Sequence, residues 1–560
     1  MEKIWLKNYP SHVAHEIDPS LFQSLGDVFL QSCETYAHLP AFSNMGVTLT
    51  FGELEQKTRD LAAWFQTTLK LKKGDRIAIM LPNILQYPVT MFAAIRAGLI
   101  VVNVNPLYTA PELIHQLNDS GAETIVVLSH FLKTVNLSLA NTSLKNIVVT
   151  ELGDLFPRPK AFLIQLYLKY IKKVIPSIKI SGAYHFSDAL KSGKTLSFTD
   201  TDISPEDIAY LQYTGGTTGV AKGAMLTHKN MIANVLQAEV WFDSLLERGK
   251  EIMITALPLY HIFSLTANCW FISKIGGLNV LIANPRDVPR MISDMAKFKF
   301  SIITGVNTLF NVLAKNPVFA KLNFSSLKMS LGGGMAVQRA VAETWKKITG
   351  LPLLEAYGLT EASPCVTSNP PDLKTYNGTV GLPLPSTDVC VLDDEGSELP
   401  IGDIGELAIK GPQVMLGYWK NPSETAKVFT KEGWLLTGDI VSMNIDGYIQ
   451  IRERKKDMII VSGFNVYPNE VEDVLAHLPG VREVAVVGVP DENSGEVVKA
   501  FIVKDRAELT AEDVIRYSHE NLTGYKVPKK IEFCKELPKS NVGKILRRAL
   551  RVDQPTRAVS

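Results

Sequence analysis

Cysteine is scarce in this chain. The five cysteines in 560 residues, Cys33, Cys269, Cys365, Cys390 and Cys534, form no Cys-x-x-Cys and no metal-ligand spacing. That excludes a disulfide framework and argues for reduced thiols in a cytoplasmic setting. Net charge is nearly absent as well: 58 Lys and Arg stand against 57 Asp and Glu. No global field therefore draws the chain towards nucleic acid. Long uninterrupted apolar runs are missing. The most apolar window, Leu265 to Ala283, is broken by Lys274, Gly276 and Gly277, whereas a spanning helix needs about twenty apolar residues. A buried helix followed by a strand is predicted there, with no transmembrane segment. The N-terminal Met-Glu-Lys-Ile-Trp-Leu-Lys lacks the apolar core of a signal peptide. Gly-x-Ser-x-Gly occurs nowhere, so no nucleophile elbow is indicated. What remains is a globular composition, 46% hydrophobic and 21% charged, in a chain long enough to divide into at least two domains.

The densest chemistry lies from Tyr210 to Gly223, Tyr-Leu-Gln-Tyr-Thr-Gly-Gly-Thr-Thr-Gly-Val-Ala-Lys-Gly. The apolar run Ile208 to Leu211 predicts a strand, which the glycines then end. Gly215, Gly216 and Gly219 free the backbone to wrap closely around a ligand. Thr214, Thr217 and Thr218 add hydroxyls, and Lys222 adds a mobile cation. That density of donors suits phosphate oxygens better than a plain surface turn. A Walker A loop is excluded, because Lys222 follows Ala221 and precedes Gly223, and the Gly-x-Gly-x-x-Gly of dinucleotide folds is absent.

Further along, Glu355-Ala-Tyr-Gly-Leu-Thr-Glu361 offers an aromatic face (Tyr357), a hydroxyl (Thr360) and a carboxylate (Glu361). Those groups suit a base, a phosphate and a divalent cation in turn. Gly332-Gly333-Gly334, between a strand predicted at Leu327 to Leu331 and a helix at Ala336 to Ile348, reads in two ways. It is either a bed of bare backbone beside a helix N-terminus or a tight turn needing positive φ. By residue type alone, His261 in Ala256-Leu-Pro-Leu-Tyr-His-Ile-Phe263 is a structural histidine and Asp439 a turn residue. On the same basis Ile451-Arg-Glu-Arg454-Lys455-Lys456-Asp457 is a solvated hairpin.

Strand and helix alternate from Phe22 to Ile125, which predicts a parallel sheet covered on both faces. Leu155 to Ser187 differs in kind, with Arg158, Lys160, Lys169, Lys172, Lys173 and Lys179 and no acidic residue. Gln165, Lys169, Lys172 and Lys173 form one polar stripe on an otherwise apolar helix. Two readings stand: a helix packed on the domain with a solvated lysine face, or an interfacial helix on anionic membrane. Gly378 to Gly417 turns β-rich. The last hundred-odd residues alternate helix and strand as an independent small domain would, and end on Pro538-Lys-Ser-Asn-Val-Gly-Lys544-Ile-Leu-Arg-Arg548.

Tyr213-Thr-Gly-Gly-Thr-Thr-Gly-x-x-Lys-Gly resembles the signature loop of the adenylate-forming enzymes, which include acyl-CoA synthetases, adenylation domains and firefly-type luciferases. The resemblance covers nearly the whole chain. The runs Gln212 to His228, Ala256 to Phe263, Lys455 to Glu470 and Pro538 to Arg548 are most similar to bacterial long-chain fatty-acid–CoA ligases. It implies an α/β fold: a large N-terminal domain of parallel sheets over 1–453 (β-rich at about 378–453), a hinge at 454–457 and a mobile C-terminal domain at 458–560. It implies ATP, Mg²⁺ and coenzyme A as co-substrate. Nucleotide contacts would come from Thr214, Gly215, Gly216, Thr217, Thr218, Gly219, Lys222, Gly333, Gly334, Glu355, Ala356, Tyr357 and Gly358. Thr360 would touch the α-phosphate, Thr217 and Glu361 would hold Mg²⁺, and Asp439 and Arg454 would hold the ribose. Lys456 would act as the hinge, His261 would line the acyl site, and Lys544 would swing into the active site. One departure is Glu453, where relatives more often carry aspartate before the arginine. The implied partners are a fatty acid, ATP and CoA and no nucleic acid, despite the basic run Lys539 to Arg551. The implied location is the cytoplasm, with peripheral contact to the cytoplasmic face of the inner membrane through 156–179 and a homodimer both left open. Carrier-protein loading, activity on another acid, a luciferase-like oxygenase and a catalytically dead binding relative remain rivals at this point.

Overall fold

The computed structural model describes residues 2–172, 174–214, 221–491, 494–540 and 543–551. Among these, the strands form four sheets. The seven-stranded sheet runs, in spatial order, Tyr184–His185, Asn146–Thr150, Thr124–Leu128, Arg76–Met80, Ile100–Asn103, Ile208–Thr214 and Lys222–Thr227. Its pairs are parallel except the last, in which Thr214 lies opposite Lys222 in an antiparallel ladder. The nine-stranded sheet has a parallel centre built from Leu354–Gly358, Met329–Gly332, Ile302–Gly305, Ile252–Thr255 and Leu278–Leu281. Parallel strands need both faces covered, and their apolar runs supply that.

One apolar cluster joins the two sheets, taking Ile79 and Val101 from one and Met253 and Ile302 from the other. Every residue of the helix Gln86–Arg96 is buried, as a helix lodged inside a core requires. Phe92 on that helix stacks on Phe29 at 4.1 Å and meets Trp270 edge-on at 4.9 Å. The helix His228–Phe242 starts at a capping box in which Thr227 and Asn230 exchange side-chain and backbone bonds. The window Leu265 to Ala283 is the expected buried helix and strand: helical from Ile262 to Lys274, with a π-turn at Leu265–Trp270, then the strand Leu278–Leu281.

The β-rich region is a four-stranded antiparallel sheet of Asp388–Leu392, Ile404–Lys410, Leu435–Met443 and Ile449–Arg454. After the charged stretch 454–457 a five-stranded sheet follows. It comprises Phe464–Val466, Ile459–Val461, Gly495–Lys504, Val481–Asp491 and Lys530–Cys534, with the helices Pro468–Ala476 and Ala511–Asn521. It has its own core around Val471, Leu475, Val486 and Ile502.

The basic helix differs from the packed reading. It spans Arg158–Leu166 and continues as a π-turn over Tyr167–Ile171, and none of these residues is buried. Phe162, Leu163, Tyr170 and Ile171 are 64%, 65%, 62% and 71% exposed. Ala161 and Ile164 touch the core and Lys160 Nζ donates to the Met45 carbonyl, so the helix is anchored by one edge.

Candidate active site

A cavity of about 670 Å³ opens at the carboxyl ends of the central strands of the large sheet, where open α/β sheets bind ligands. Side chains two apart on a strand share a face. Met329, Leu331 and Gly333 therefore run in one line from an apolar floor to a polar mouth. The helix His228–Phe242 contributes Asn234, Ala238 and Phe242, one turn apart, and the facing helix contributes Thr266, Ala267 and Phe271. The π-turn re-aims that second helix, as such turns do at functional sites. Leu265 and Trp270 do not reach the cavity. Trp270 Nε1 donates instead to Tyr210 Oη at 2.8 Å inside the core.

At the polar mouth stand Thr214, Lys222, His261, Gly333, Gly334, Ala356, Tyr357, Gly358, Thr360, Glu361, Arg454 and Lys544. A Cβ on Gly333 would lie 3.0 Å from the Ala356 carbonyl and 3.1 Å from the Phe263 ring, and Gly334 has φ of +75°. Bare backbone is thus required here. The helix N-terminus expected beside these glycines lies elsewhere. The helix begins at Arg339, because Glu355 takes the Val337 N–H at 2.9 Å and Asn307 takes the Gln338 N–H at 3.0 Å. Gly215, Gly216, Thr217, Thr218 and Gly219 lie outside the described residues.

Tyr357, Asp439 and Arg454 form one network. Tyr357 Oη donates to Asp439 Oδ2 at 2.6 Å, and Arg454 Nε meets Asp439 Oδ1 at 2.9 Å, across a ladder in which Asp439 and Arg454 are register partners. Asp439 is buried behind Tyr357, and burial, followed by the Asp439 charge, pushes the phenol up. Glu361 Oε1 accepts from Tyr418 Oη at 2.8 Å. Lys222 pairs with Glu424 and lies 5.3 Å over the Tyr418 ring. His261 is half-buried on the cavity wall, where desolvation pushes it down to about 4, and its Nδ1 accepts the Phe263 N–H at 3.3 Å. The ring is therefore neutral at pH 7, with its proton on Nε2. Burial pushes Lys544 down to about 8, and the guanidinium of Arg454 adds to the effect. Cys365, on the cavity wall, has its thiol pushed up to about 12 by burial, so it is no thiolate nucleophile.

Three expected residues lie off the cavity wall: Asp439, buried behind Tyr357, Glu355 and Lys456. Glu355 sits one residue too deep in its strand. Burial pushes its carboxyl up to about 8, and it accepts the Val337 N–H. Lys456 lies in the charged stretch outside the cavity, held low by burial. Glu355→Gln should accordingly leave the KM for ATP within about twofold, since the amide oxygen accepts the same bond. The native carboxyl binds its proton more tightly than the unfolded one (about 8 against 4.5). The variant should therefore gain thermal stability over wild type as pH rises through that window. A large KM increase would return Glu355 to the nucleotide site.

Tyr418 and Glu424 escaped the motif reading. They come from a segment that pairs along the strand Lys222–Thr227: Leu416 N–H donates to the Met225 carbonyl at 3.1 Å and Trp419 N–H to the Gly223 carbonyl at 2.8 Å. Gly417-Tyr418 followed by Asn421-Pro422, the cap and first residue of the helix Pro422–Val428, was the available local signal.

Of the carboxylates that line the cavity, Glu424 pairs with Lys222 and Glu406 with Lys455, and Glu361 fits Mg²⁺, which is commonly held by one or two carboxylates together with substrate phosphates. Among the described residues no cluster of three or more His, Cys, Asp or Glu could cage a metal unaided. The site thus offers cations for phosphates, an aromatic face, a neutral imidazole and a long apolar floor. An amphipathic acid brought against a nucleotide would satisfy all of these.

Known proteins agree with that geometry. The AMP-binding enzyme family matches residues 29–419, and the AMP-binding enzyme C-terminal domain matches residues 470–544. The long-chain-fatty-acid–CoA ligase of Escherichia coli O6:H1 is 54% identical over 551 residues, covering 98% of each chain. The anthranilate CoA ligase AuaEII in complex with anthranoyl-AMP superposes with a TM-score of 0.84 at 27% identity, covering 95% of this chain and 98% of that one. MatB from Rhodopseudomonas palustris, 28% identical over 94% of this chain and 98% of its own, gives a TM-score of 0.80 in its ATP-bound form and 0.71 in its apo form.

Proposed function

The chain belongs to the AMP-binding enzyme family, and on that premise we propose that it is a long-chain fatty-acid–CoA ligase. ATP and a fatty acid give acyl-AMP and pyrophosphate, and CoA then gives acyl-CoA and AMP. The observation that carries this is a cavity that joins an apolar floor to a mouth bearing Lys222, Tyr357, Glu361 and Lys544.

A carboxylate resists attack because its charge repels nucleophiles and oxide is a poor leaving group. Transfer of AMP replaces that leaving group with a good one. The barrier to the transfer is the approach of an anionic acid to an anionic triphosphate, and fixed charges at the mouth lower it. Lys544 supplies an ammonium where carboxylate and phosphate meet, and Lys222 supplies a second cation. The Asp439–Arg454–Tyr357 network holds the ribose and gives adenine a ring to lie against. His261 Nε2–H faces the acyl carboxylate. Glu361 would hold Mg²⁺ together with nucleotide phosphates, and the metal supplies further neutralisation of phosphate charge. In the second step the CoA thiol attacks the acyl carbonyl, the C–S bond forms, the C–O bond to AMP breaks, and no protein nucleophile is needed.

The test is AMP release from ATP with palmitate, octanoate, benzoate or acetate, each with and without CoA. The ligase requires AMP that appears with fatty acids and turns over repeatedly only when CoA is present. Turnover indifferent to CoA would point to a carrier-loading relative.

Among the described residues no helix is long and apolar enough to cross a membrane. Peripheral contact on the cytoplasmic face is made through 156–179, where exposed Phe162, Leu163, Tyr170 and Ile171 enter the headgroup boundary beside Lys169 and Lys172. Such a patch of large apolar side chains is unusual on a surface that meets only water. Lys169→Glu with Lys172→Glu should abolish co-sedimentation with anionic vesicles. Equal binding by wild type and variant would contradict the contact.

A further inference from the structure

Two side chains tie the C-terminal sheet to the rest of the molecule in ways that fix Lys544. The first is Glu453, at the end of the strand Ile449–Arg454 and just before the charged stretch. It is buried, and its Oε1 accepts from Arg547 Nη1 at 2.8 Å, while its Oε2 accepts the Asn469 N–H at 3.2 Å. Arg547 stands three residues beyond Lys544. It also reaches Glu472 Oε2 at 2.8 Å and Asn469 Oδ1 at 2.7 Å, so one guanidinium grips the strand before the hinge and the helix after it. Burial raises the Glu453 carboxyl and the guanidinium opposes that rise. A carboxylate buried without its partner is costly, so the grip is made fully or lost.

The second is Asp473. The helix Arg339–Thr349 has no side-chain cap of its own, and Asp473, from the helix Pro468–Ala476 of the C-terminal sheet, accepts the Arg339 N–H at 3.1 Å. A carboxylate at a helix start satisfies an orphan donor and suits the helix dipole. Here it does so between two units of the fold. The same junction includes Thr308 Oγ1 donating to the Gly543 carbonyl at 2.9 Å, next to Lys544 itself.

We propose that Glu453, acting through Arg547, and Asp473, acting through the helix Arg339–Thr349, are positioning residues that hold Lys544 in the cavity, and that they serve acyl-AMP formation and not thioester formation. The inference rests on the two-step reading above. With the C-terminal sheet docked in this way Lys544 lines the mouth, and both contacts are part of that arrangement. Weakening either one shifts the population away from it. The thioester step has no use for an ammonium at the phosphate, and CoA must bring its thiol to the carbonyl that the docked segment helps to enclose.

The experiment measures two rates in the full-length enzyme: pyrophosphate release from ATP and palmitate, and palmitoyl-CoA formation from supplied palmitoyl-adenylate and CoA. Glu453→Gln should slow the first by roughly tenfold, and Asp473→Asn, a less buried site, by several-fold, within the usual range of conformational coupling. The second rate should stay within about twofold of wild type in both variants. Equal losses in the two half-reactions of Asp473→Asn, or unchanged pyrophosphate release in both variants, would overturn the assignment. A wild type that forms no adenylate would instead overturn the two-step reading on which it rests.

Discussion

Lys544→Ala is expected to slow acyl-AMP formation by about 10²- to 10³-fold, the cost of removing one preorganised charge from a transition state. Thioester formation from supplied acyl-adenylate should persist. The asymmetry follows from where the ammonium stands: among the residues of the cavity mouth, within the field of Arg454, pushed down by burial to about 8. The ammonium is charged below that value and lost above it. The kcat/KM for adenylation in wild type should therefore fall as pH rises through about 8. That alkaline limb should vanish from the residual activity of the alanine variant. Pyrophosphate release measured across pH checks both points, and equal loss in the two half-reactions would contradict the role.

The second large effect is expected at the apolar end. Ala238 lies one helical turn from Asn234 and one from Phe242, and faces Thr266, Ala267 and Phe271 across the cavity. A phenyl ring at this position would cross the space that a long chain must fill, and the close-packed walls have little room to yield. Ala238→Phe should cut kcat/KM for palmitate by about 100-fold while leaving octanoate within about threefold. Competition between the two acids in one reaction measures the ratio directly. A uniform loss for both would mean that the ring disturbs the mouth instead of the floor.

Where one physical signal dominated, the chain disclosed its structure. The strands Thr124–Leu128 and Ile302–Gly305 and the helix Asn307–Ala314 begin and end where their apolar patterns do. His261, Gly333, Gly334, Thr360 and Glu361 converge because they follow the carboxyl ends of parallel strands, which a reading of strand–turn–helix order can anticipate, whereas Lys222, Arg454 and Lys544 arrive from antiparallel strands and from the C-terminal unit. Remote partners were not legible. Lys222 and Glu424 are 202 residues apart and meet only because the segment around Tyr418 pairs along the strand Lys222–Thr227. The late start of the helix Arg339–Thr349 has the same origin, since Glu355 and Asn307 take backbone donors that a helix would otherwise begin with. Exposure was not legible either. The pattern around Phe162 and Ile171 suits a packed helix and an interfacial one alike, and only the fold reveals that these side chains are 64% and 71% exposed. Glu355 is a nucleotide contact by the family resemblance alone, yet it pairs with Gly332 inside the sheet, one step short of the opening.

One cavity that makes and then consumes an acyl-adenylate should do both in a single turnover. Enzyme in excess is mixed with ATP, Mg²⁺ and palmitate without CoA, and a CoA chase follows. Palmitoyl-AMP and pyrophosphate should form in equal amounts, the adenylate being retained until the chase converts it to palmitoyl-CoA and AMP. ADP and phosphate in place of AMP, or an adenylate that CoA does not consume, would contradict the two-step reaction.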